Sequence, residues 1–296
     1  MGRHAARAAL GCALALPAGC GDGSEPEDPV DACLALDSGT AAPAIPAVSS
    51  ALRGSVRIWD ERNTSVEEPG SPRLDLHRGQ ISASFGRTAE PGEGPPVEDL
   101  GGGCVGFVGI PDLRSRTSTA LELGQLSVRG TAVGTVDVPA TRPGVHRFVG
   151  APLVGPDALE VVGAAGAFPG FSARVAPVEP MTLLAPDPRA SAALGATNAS
   201  VLAWTAGDGD AVTVRFTPNQ PRGMEIQGGQ VECRVPDQGC LVLPSAAAIF
   251  LAASRVDSYT VSVERERAGV TESEGAQVLV RVASSWRFDM AAGAIP

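Results

Sequence analysis

The most informative absence in this 296-residue sequence is lysine, because all 23 basic residues are arginine. A chain without lysine has no Walker-type phosphate loop, no Schiff-base lysine and no serine–lysine nucleophile. Histidine is scarce, with three residues, and aromatic residues make up only 4%. Together with 36 glycines and 25 prolines, this composition predicts short elements joined by many turns and argues against long helical bundles.

Positive charge is also in deficit, with 23 basic against 33 acidic residues and a formal net charge of -10. Nucleic-acid binding needs a basic face that neutralises phosphates, so we predict no nucleic-acid partner. No apolar stretch of the sequence reaches 18 residues, which argues against a transmembrane helix.

The first 19 residues have the features of an export signal. Arg3, His4 and Arg7 precede an apolar run at 8–18. This run is too short to span a bilayer, which needs about 20 residues. A short positive region followed by such a run is typical of a secretory signal peptide.

The run ends in Leu-Pro-Ala-Gly-Cys at 16–20, and acidic and turn-forming residues follow at once. This order resembles a bacterial lipobox, although Pro17 stands where that family usually carries leucine. The resemblance implies cleavage before Cys20, acylation of its thiol and a mature chain held at the membrane by lipid. The expected location is the bacterial cell envelope, at the outer membrane. The alternative is cleavage by the ordinary signal peptidase, with Cys20 as a plain cysteine.

Residues 20–50 are predicted to form a disordered tether, because 21–37 contain six acids, no basic residue and several glycines and prolines. A calcium site is the alternative interpretation of these acids, but their spacing matches no EF-hand loop. We therefore expect neither a metal nor a cofactor here.

Four cysteines remain after the signal and the lipid site, and an exported chain is expected to pair them in two disulfides. Cys233 and Cys240 flank a Pro-Asp and Gly turn, which predicts a bridge across a hairpin. Elimination then pairs Cys33 with Cys104. A four-cysteine zinc site is the alternative, but the spacings do not match a zinc knuckle.

From residue 51 onward, apolar and polar residues alternate in short runs, which predicts an all-β fold. We expect two β-sandwich domains, at 51–178 and 179–296. The second resembles an immunoglobulin-like or fibronectin type III sandwich, because seven short strands and a tryptophan on the second occupy about 110 residues. One helix is predicted at 245–253, capped by Ser245. The strands are predicted at 53–59, 80–85, 104–110, 124–128, 134–138, 145–149, 159–162, 171–175, 181–184, 200–205, 211–217, 231–235, 241–243, 258–264 and 277–288.

As a whole, the chain resembles surface lipoproteins of high-GC, myxobacterial type, and this resemblance implies no particular activity. Neither a Gly-x-Ser-x-Gly elbow nor a His-Glu-x-x-His motif occurs. His77 and His146 are the histidines of the mature chain, and we expect both to be ordinary strand or turn residues. We therefore predict no catalytic residue and no enzyme.

Three further features are weighed against plainer explanations. Glu67-Glu68 and Glu98-Asp99 are more simply solvated loop acids than a glycosidase pair. Asp208-Gly209-Asp210 is explained by a hairpin turn without calcium. The tryptophans at 59 and 286 are more simply core or interface residues than sugar platforms.

Three functional hypotheses remain, in descending order. The first is a tethered structural or interaction protein with a protein or glycan partner at the envelope. The second is a carbohydrate- or ligand-binding module, which predicts an exposed tryptophan flanked by Asp or Asn. The third is a hydrolase, which predicts His77 or His146 beside a carboxylate in a pocket.

Overall fold

A computed structural model describes residues 28–34, 42–64, 75–88, 97–108, 118–188, 193–194, 201–219, 229–254 and 256–292. Within these ranges the chain forms nineteen strands and two short helices. The prediction of an all-β sandwich is confirmed. Cys20 and Glu67-Glu68 lie outside the described residues.

The largest sheet contains twelve of the described strands, and β1 and β19 run parallel at its centre with Val56 opposite Val280. In spatial order its strands are β3 (Glu98–Gly101), β4 (Cys104–Val108), β16 (Gly229–Val235), β15 (Ala211–Pro218), β18 (Ser258–Ser273), β19 (Ala276–Ala292), β1 (Leu52–Asn63), β2 (Leu76–Thr88), β9 (Val145–Gly150) and β8 (Ala140–Arg142), with β13 (Ala193–Leu194) on β19 and β5 (Ser118–Ala120) on β2.

Two smaller sheets complete the strand layers. The four-stranded sheet has the order β11 (Phe171–Val175), β10 (Leu159–Gly163), β6 (Leu126–Thr131) and β7 (Gly134–Val138). The three-stranded sheet has the order β12 (Leu183–Ala185), β14 (Val201–Trp204) and β17 (Cys240–Val242).

Both smaller sheets pack on the same face of the large sheet, and β19 shows why. Successive side chains of a strand alternate between faces, and the even-numbered residues of β19 are buried along its length. Val278, Val280 and Val282 join the core under the four-stranded sheet. Trp286 and Phe288 join the core under the three-stranded sheet. One strand therefore contributes to two neighbouring cores.

A buried ion pair lies where these two cores meet. Arg265 on β18 is fully buried, and its Nε donates to the Asp237 carboxylate at 2.6 Å. The same carboxylate accepts from Trp204 Nε1 at 3.0 Å and from the backbone N–H of Gly209 at 3.1 Å. Remaining guanidinium N–H groups donate to the carbonyls of Glu179 and Thr205. The charge of Arg265 is thus paired, and each of its three side-chain nitrogens donates a hydrogen bond.

Strand pairing crosses the predicted domain boundary at 178/179. β1 pairs with β19, and β4 pairs with β16. The segments 51–178 and 179–296 therefore share one sheet, and the four-stranded sheet packs on Val278 to Val282 of the second segment. Alternation within each strand does not reveal these pairings, which join residues more than 120 positions apart.

The predicted helix is confirmed as α2 (Ser245–Ala253), which connects β17 of the small sheet to β18 of the large one. The predicted cap was wrong, because Ser245 is the first helical residue, Pro244 precedes it and no side chain caps the helix. The other described helix, α1 (Pro29–Leu34), lies in the predicted tether. Among the described helices, none has the length and apolarity needed to cross a bilayer.

The prediction of a disordered tether was wrong for the described parts of 20–50. Cys33 of α1 is buried against β14 and β17. Farther along, the Ala42 N–H donates to the Arg234 carbonyl, and the Ser49 and Ser50 N–H groups donate to Gln277. These contacts attach both ends of 42–50, here called the crossing segment, to the large sheet.

The structure contains two disulfides, as predicted, but the predicted pairs were wrong. Cys104 bonds to Cys233, and Cys33 bonds to Cys240. The reason is topological: β16 belongs to the large sheet and β17 to the three-stranded sheet, so the turn at 236–239 joins two layers. Cys233 instead lies directly opposite Cys104 on the neighbouring strand, with Cα atoms 3.9 Å apart. The hairpin turn predicted at Asp208-Gly209-Asp210 was wrong for the same reason, since β14 and β15 lie in different sheets.

Candidate functional site

The face of the large sheet opposite both cores carries most of the interacting charges, and we call it the open face. It is formed by the odd-numbered residues of β1, β9, β15 and β19 and the even-numbered residues of β2, β16 and β18, as the pairing register requires. Its charged and aromatic side chains include Arg57, Trp59, Arg147, Arg215, Glu232, Arg234, Glu264, Glu266 and Arg281.

Glu264 is the centre of one ion-pair chain on this face. Its buried carboxylate accepts from Arg57 Nη2 and lies 3.6 Å from Arg215 Nη1. Arg215 also donates through Nε to Glu232 at 2.7 Å. Burial lowers the pKa of Arg215, but the charges of Glu232 and Glu264 outweigh burial and raise this pKa above its ordinary value. The guanidinium therefore stays charged and fixed.

Glu266 is the centre of a second cluster. Its carboxylate accepts from Arg234 Nη1 and from the Thr213 hydroxyl, the latter at 3.2 Å, and lies 4.0 Å from Arg281 Nη1. Burial and the positive charge of Arg57 lower the pKa of Arg281. Arg281 Nε is buried without a hydrogen-bond partner among the described residues. Around this arginine, positive charge is only partly balanced.

Trp59 is the aromatic side chain of the open face. It is half-buried, and the Arg57 guanidinium lies 4.5 Å above the centre of its ring. Such cation–π stacking stabilises both groups and leaves a flat, preorganised surface. Asp60 faces the other side of the strand, where its carboxylate accepts from the N–H groups of Leu153 and Val154. The acid beside Trp59 in sequence is therefore not beside it in the site.

A groove of about 610 Å³ crosses one end of the open face, and we call it the arginine groove. Leu279, Ser55, Ser84 and Val145 lie side by side on β19, β1, β2 and β9 and line it. Its remaining lining residues are Val48, Arg53, Gly54, Phe85, Gly86, Ala120, Arg142, Pro143 and Gly144. Two of these residues are arginines and none is acidic.

Apart from Trp59, the described candidate residues lie away from this face or have structural roles. His77 is exposed on β2, whereas His146 is buried, with Nδ1 3.0 Å from the Val138 carbonyl and its ring edge-on to Phe85. Trp286 is buried in a core, and its Nε1 donates to the Met181 carbonyl at 2.7 Å.

The acidic candidates also have local partners. Asp208 and Asp210 flank Arg267, and Asp210 also accepts from the Ala268 N–H at 2.9 Å. Glu98 and Asp99 lie on the strand β3 and not in a loop as predicted, and Asp99 accepts from the Gly101 N–H at the end of that strand. Within the described part of the chain, no cluster of three or more His, Cys, Asp or Glu could hold a metal ion.

Sequence reasoning missed the arginines of the open face. The signal was present in β1, where Arg53, Ser55, Arg57 and Trp59 alternate with the buried Val56 and Ile58. This pattern places two arginines and a tryptophan on one face. Arg142 and Arg281 carry no comparable signal, because only the pairing of distant strands brings them to the same face.

No protein-family model and no curated protein matches this chain. Among solved structures, the yeast delta-COP-I mu-homology domain aligns over 84% of this chain and 100% of that chain, with 10% identity and a TM-score of 0.17. A TM-score of this size does not establish a common fold.

Proposed function

We propose that this protein is exported and lipid-anchored through Cys20 at the outer membrane of a bacterial cell envelope, where its body serves as a structural or interaction module. The positive N-terminus, the short apolar run and the lipobox-like residues 16–20 support the anchor. The two disulfides support an oxidising compartment, because cytosolic reductants keep thiols reduced.

The observation that carries the interaction role is the open face. Neither smaller sheet packs on it, and its arginines are held by ion pairs and by stacking on Trp59. A surface whose charged side chains are already ordered loses less conformational entropy when a partner binds. Charge patterning of this kind favours recognition of a specific partner.

The anchor is tested by feeding cells an alkyne analogue of palmitate. Labelling is expected for the wild-type protein and for Cys12→Ser, which alters a cysteine of the signal, and is expected to be lost in Cys20→Ser. Equal incorporation into Cys20→Ser would contradict the anchor. Release of Cys20→Ser from the membrane fraction is the second readout.

The interaction role is tested with a photo-crosslinking amino acid in intact cells. Position 149 is 50% exposed on the open face, and position 133 is 53% exposed in the β6–β7 turn. A discrete adduct is expected from position 149 and not from position 133. Adducts from neither position, or the same adducts from both, would count against a partner on this face.

A second candidate function is the binding of a small ligand, which the arginine groove favours. Pockets of about 300 to 1,000 Å³ with an apolar lining and a few polar groups are typical of small-molecule sites. The groove has this size, and its only charged lining side chains are the two arginines.

A further inference from the structure

We infer that the arginine groove binds a small amphiphilic anion, with a carboxylate or phosphate head at Arg53 and Arg142 and an apolar chain across Val145 and Leu279. This inference develops the ligand-binding candidate and is independent of the lipid anchor, because every residue that it uses belongs to the folded body.

The charged side chains that line the groove are Arg53 on β1 and Arg142 on β8, and no acidic residue lines it. Arg53 donates through Nε to the Ser50 carbonyl, which orients the side chain, and no described residue accepts a hydrogen bond from its Nη groups. Arg142 is exposed and has no ion pair within the described part of the chain. Guanidinium groups bind carboxylate and phosphate through paired hydrogen bonds. An anionic head is therefore the ligand group that this lining complements.

The floor supplies the apolar contact. Leu279, Ser55, Ser84 and Val145 lie on four neighbouring strands, and three strand spacings of about 4.8 Å give a floor roughly 14 Å long. The apolar side chains are at its two ends. Val48 of the crossing segment lines the same groove. A short alkyl chain can lie along this floor and be removed from water.

The walls are held in place before any ligand binds. Gly144 has a φ of +67°, and a Cβ at this position would lie 2.6 Å from the Phe85 carbonyl oxygen. Glycine thus allows the β8–β9 turn to approach β2, where the Phe85 N–H donates to the Gly144 carbonyl at 2.8 Å. On the other side, Gln277 binds Ser49 and Ser50 and fixes the crossing segment next to Val48. A preorganised site of this kind loses little entropy on binding.

The test uses the purified protein, with both disulfides formed, and isothermal titration below the micelle concentration of each probe. Decanoate and decyl phosphate are expected to bind in a saturable way at one site. Decanol, which has the same chain without the charge, is expected to bind at least about tenfold more weakly, a difference of about 1.4 kcal/mol. Decyltrimethylammonium is expected not to bind. The affinity of decanoate compared with that of decyl phosphate shows whether the groove prefers a carboxylate or a phosphate head.

Matched variants locate the site. Ser84 is exposed in the groove, so Ser84→Asp introduces a negative charge that repels the anionic head. Ser84→Asn introduces a side chain of nearly the same size as Asp without that charge. Ser84→Asp and Arg142→Gln are each expected to weaken decanoate binding at least about tenfold. Ser84→Asn and Arg174→Gln, the latter an exposed arginine on β11, are expected to leave it unchanged.

Three results would overturn the inference. They are equal binding of decanoate and decanol, no saturable binding of either anion, and unchanged decanoate affinity in both Ser84→Asp and Arg142→Gln. Tighter binding of a hexaglutamate peptide than of decanoate, with the same dependence on Arg142, would assign the groove to an acidic peptide instead. None of these outcomes depends on acylation of Cys20, so the anchor is tested separately.

Discussion

At the scale of single residues, the buried pair of Arg265 and Asp237 is the most demanding feature of the fold. Both side chains are nearly inaccessible to water, with 1% and 3% of their areas exposed. Removing one partner of a buried pair leaves a charge without compensation, which costs far more than losing an exposed pair. The surface pair of Asp208 with Arg267, in which the Asp208 side chain is 50% exposed, provides the comparison.

Asp237→Asn removes the charge with almost no change in size, and we expect it to lower the free energy of unfolding by roughly 3–5 kcal/mol. Asp208→Asn breaks the exposed pair and should cost no more than about 1 kcal/mol. Urea denaturation followed by tryptophan fluorescence measures both values. Similar losses in the two variants would show that the junction between the cores does not depend on its buried charge pair.

Asp60 makes stability depend on pH. Burial raises the pKa of this carboxyl above its ordinary 3.8, although the N–H groups of Leu153 and Val154 partly oppose the shift. The folded state then holds the proton more tightly than the unfolded state. The contribution of Asp60 to the free energy of unfolding therefore falls as pH rises from 3.8 through the raised pKa. The unfolding free energy of wild type minus that of Asp60→Asn should therefore decrease across this range. A difference that increases with pH would contradict the assignment.

At the scale of elements, the stability of α1 depends on the disulfide between Cys33 and Cys240. An isolated helix of six residues is unstable in water, so α1 persists through its attachment to β17 by Cys33 and Cys240. Cys33→Ser with Cys240→Ser should remove amide-exchange protection from 29–34. The disulfide between Cys104 and Cys233 joins two strands and no helix. Cys104→Ser with Cys233→Ser should therefore leave the protection of α1 in place while lowering the free energy of unfolding by about 2–5 kcal/mol. Loss of α1 protection in both double variants would contradict this division.

The strands could be predicted from sequence wherever one face is buried and the other is not. The alternation in 53–59 and 211–217 correctly predicted β1 and β15, because Val56, Ile58, Val212 and Val214 face the cores. Short strands such as β5 and β8 lack enough alternating positions to be recognised. The turns after β14 and β16 contain the Gly and Asp that predict hairpins, but these residues mark a change of direction without specifying whether the chain stays in the same sheet.

At the scale of the whole molecule, β19 makes the two cores one cooperative unit. Val280→Ala leaves a cavity in the core under the four-stranded sheet, at a cost of roughly 2 kcal/mol. Trp204 and Trp286 lie in the other core. In Val280→Ala their fluorescence should nevertheless show a lower unfolding midpoint. This midpoint should equal the one measured by far-ultraviolet circular dichroism. Separate transitions would mean that the two cores unfold independently.

The open face and its groove show what sequence reasoning could not reach. Arg53 and Arg57 share a face by local alternation. Arg142 and Leu279 reach the same groove only because β1 pairs with β2 on one side and with β19 on the other. Pairing between residues more than 200 positions apart is specified by the packing of the whole chain, and a single sequence carries no local signal for it.

The central place of β19 also determines the order of assembly. Among the described strands, β19 is the one that a ribosome makes last, yet it lies between β18 and β1. Until its residues emerge, β1 has an edge without a partner and the four-stranded sheet lacks part of the surface that it covers. Both cores therefore stay incomplete until β19 has been synthesised.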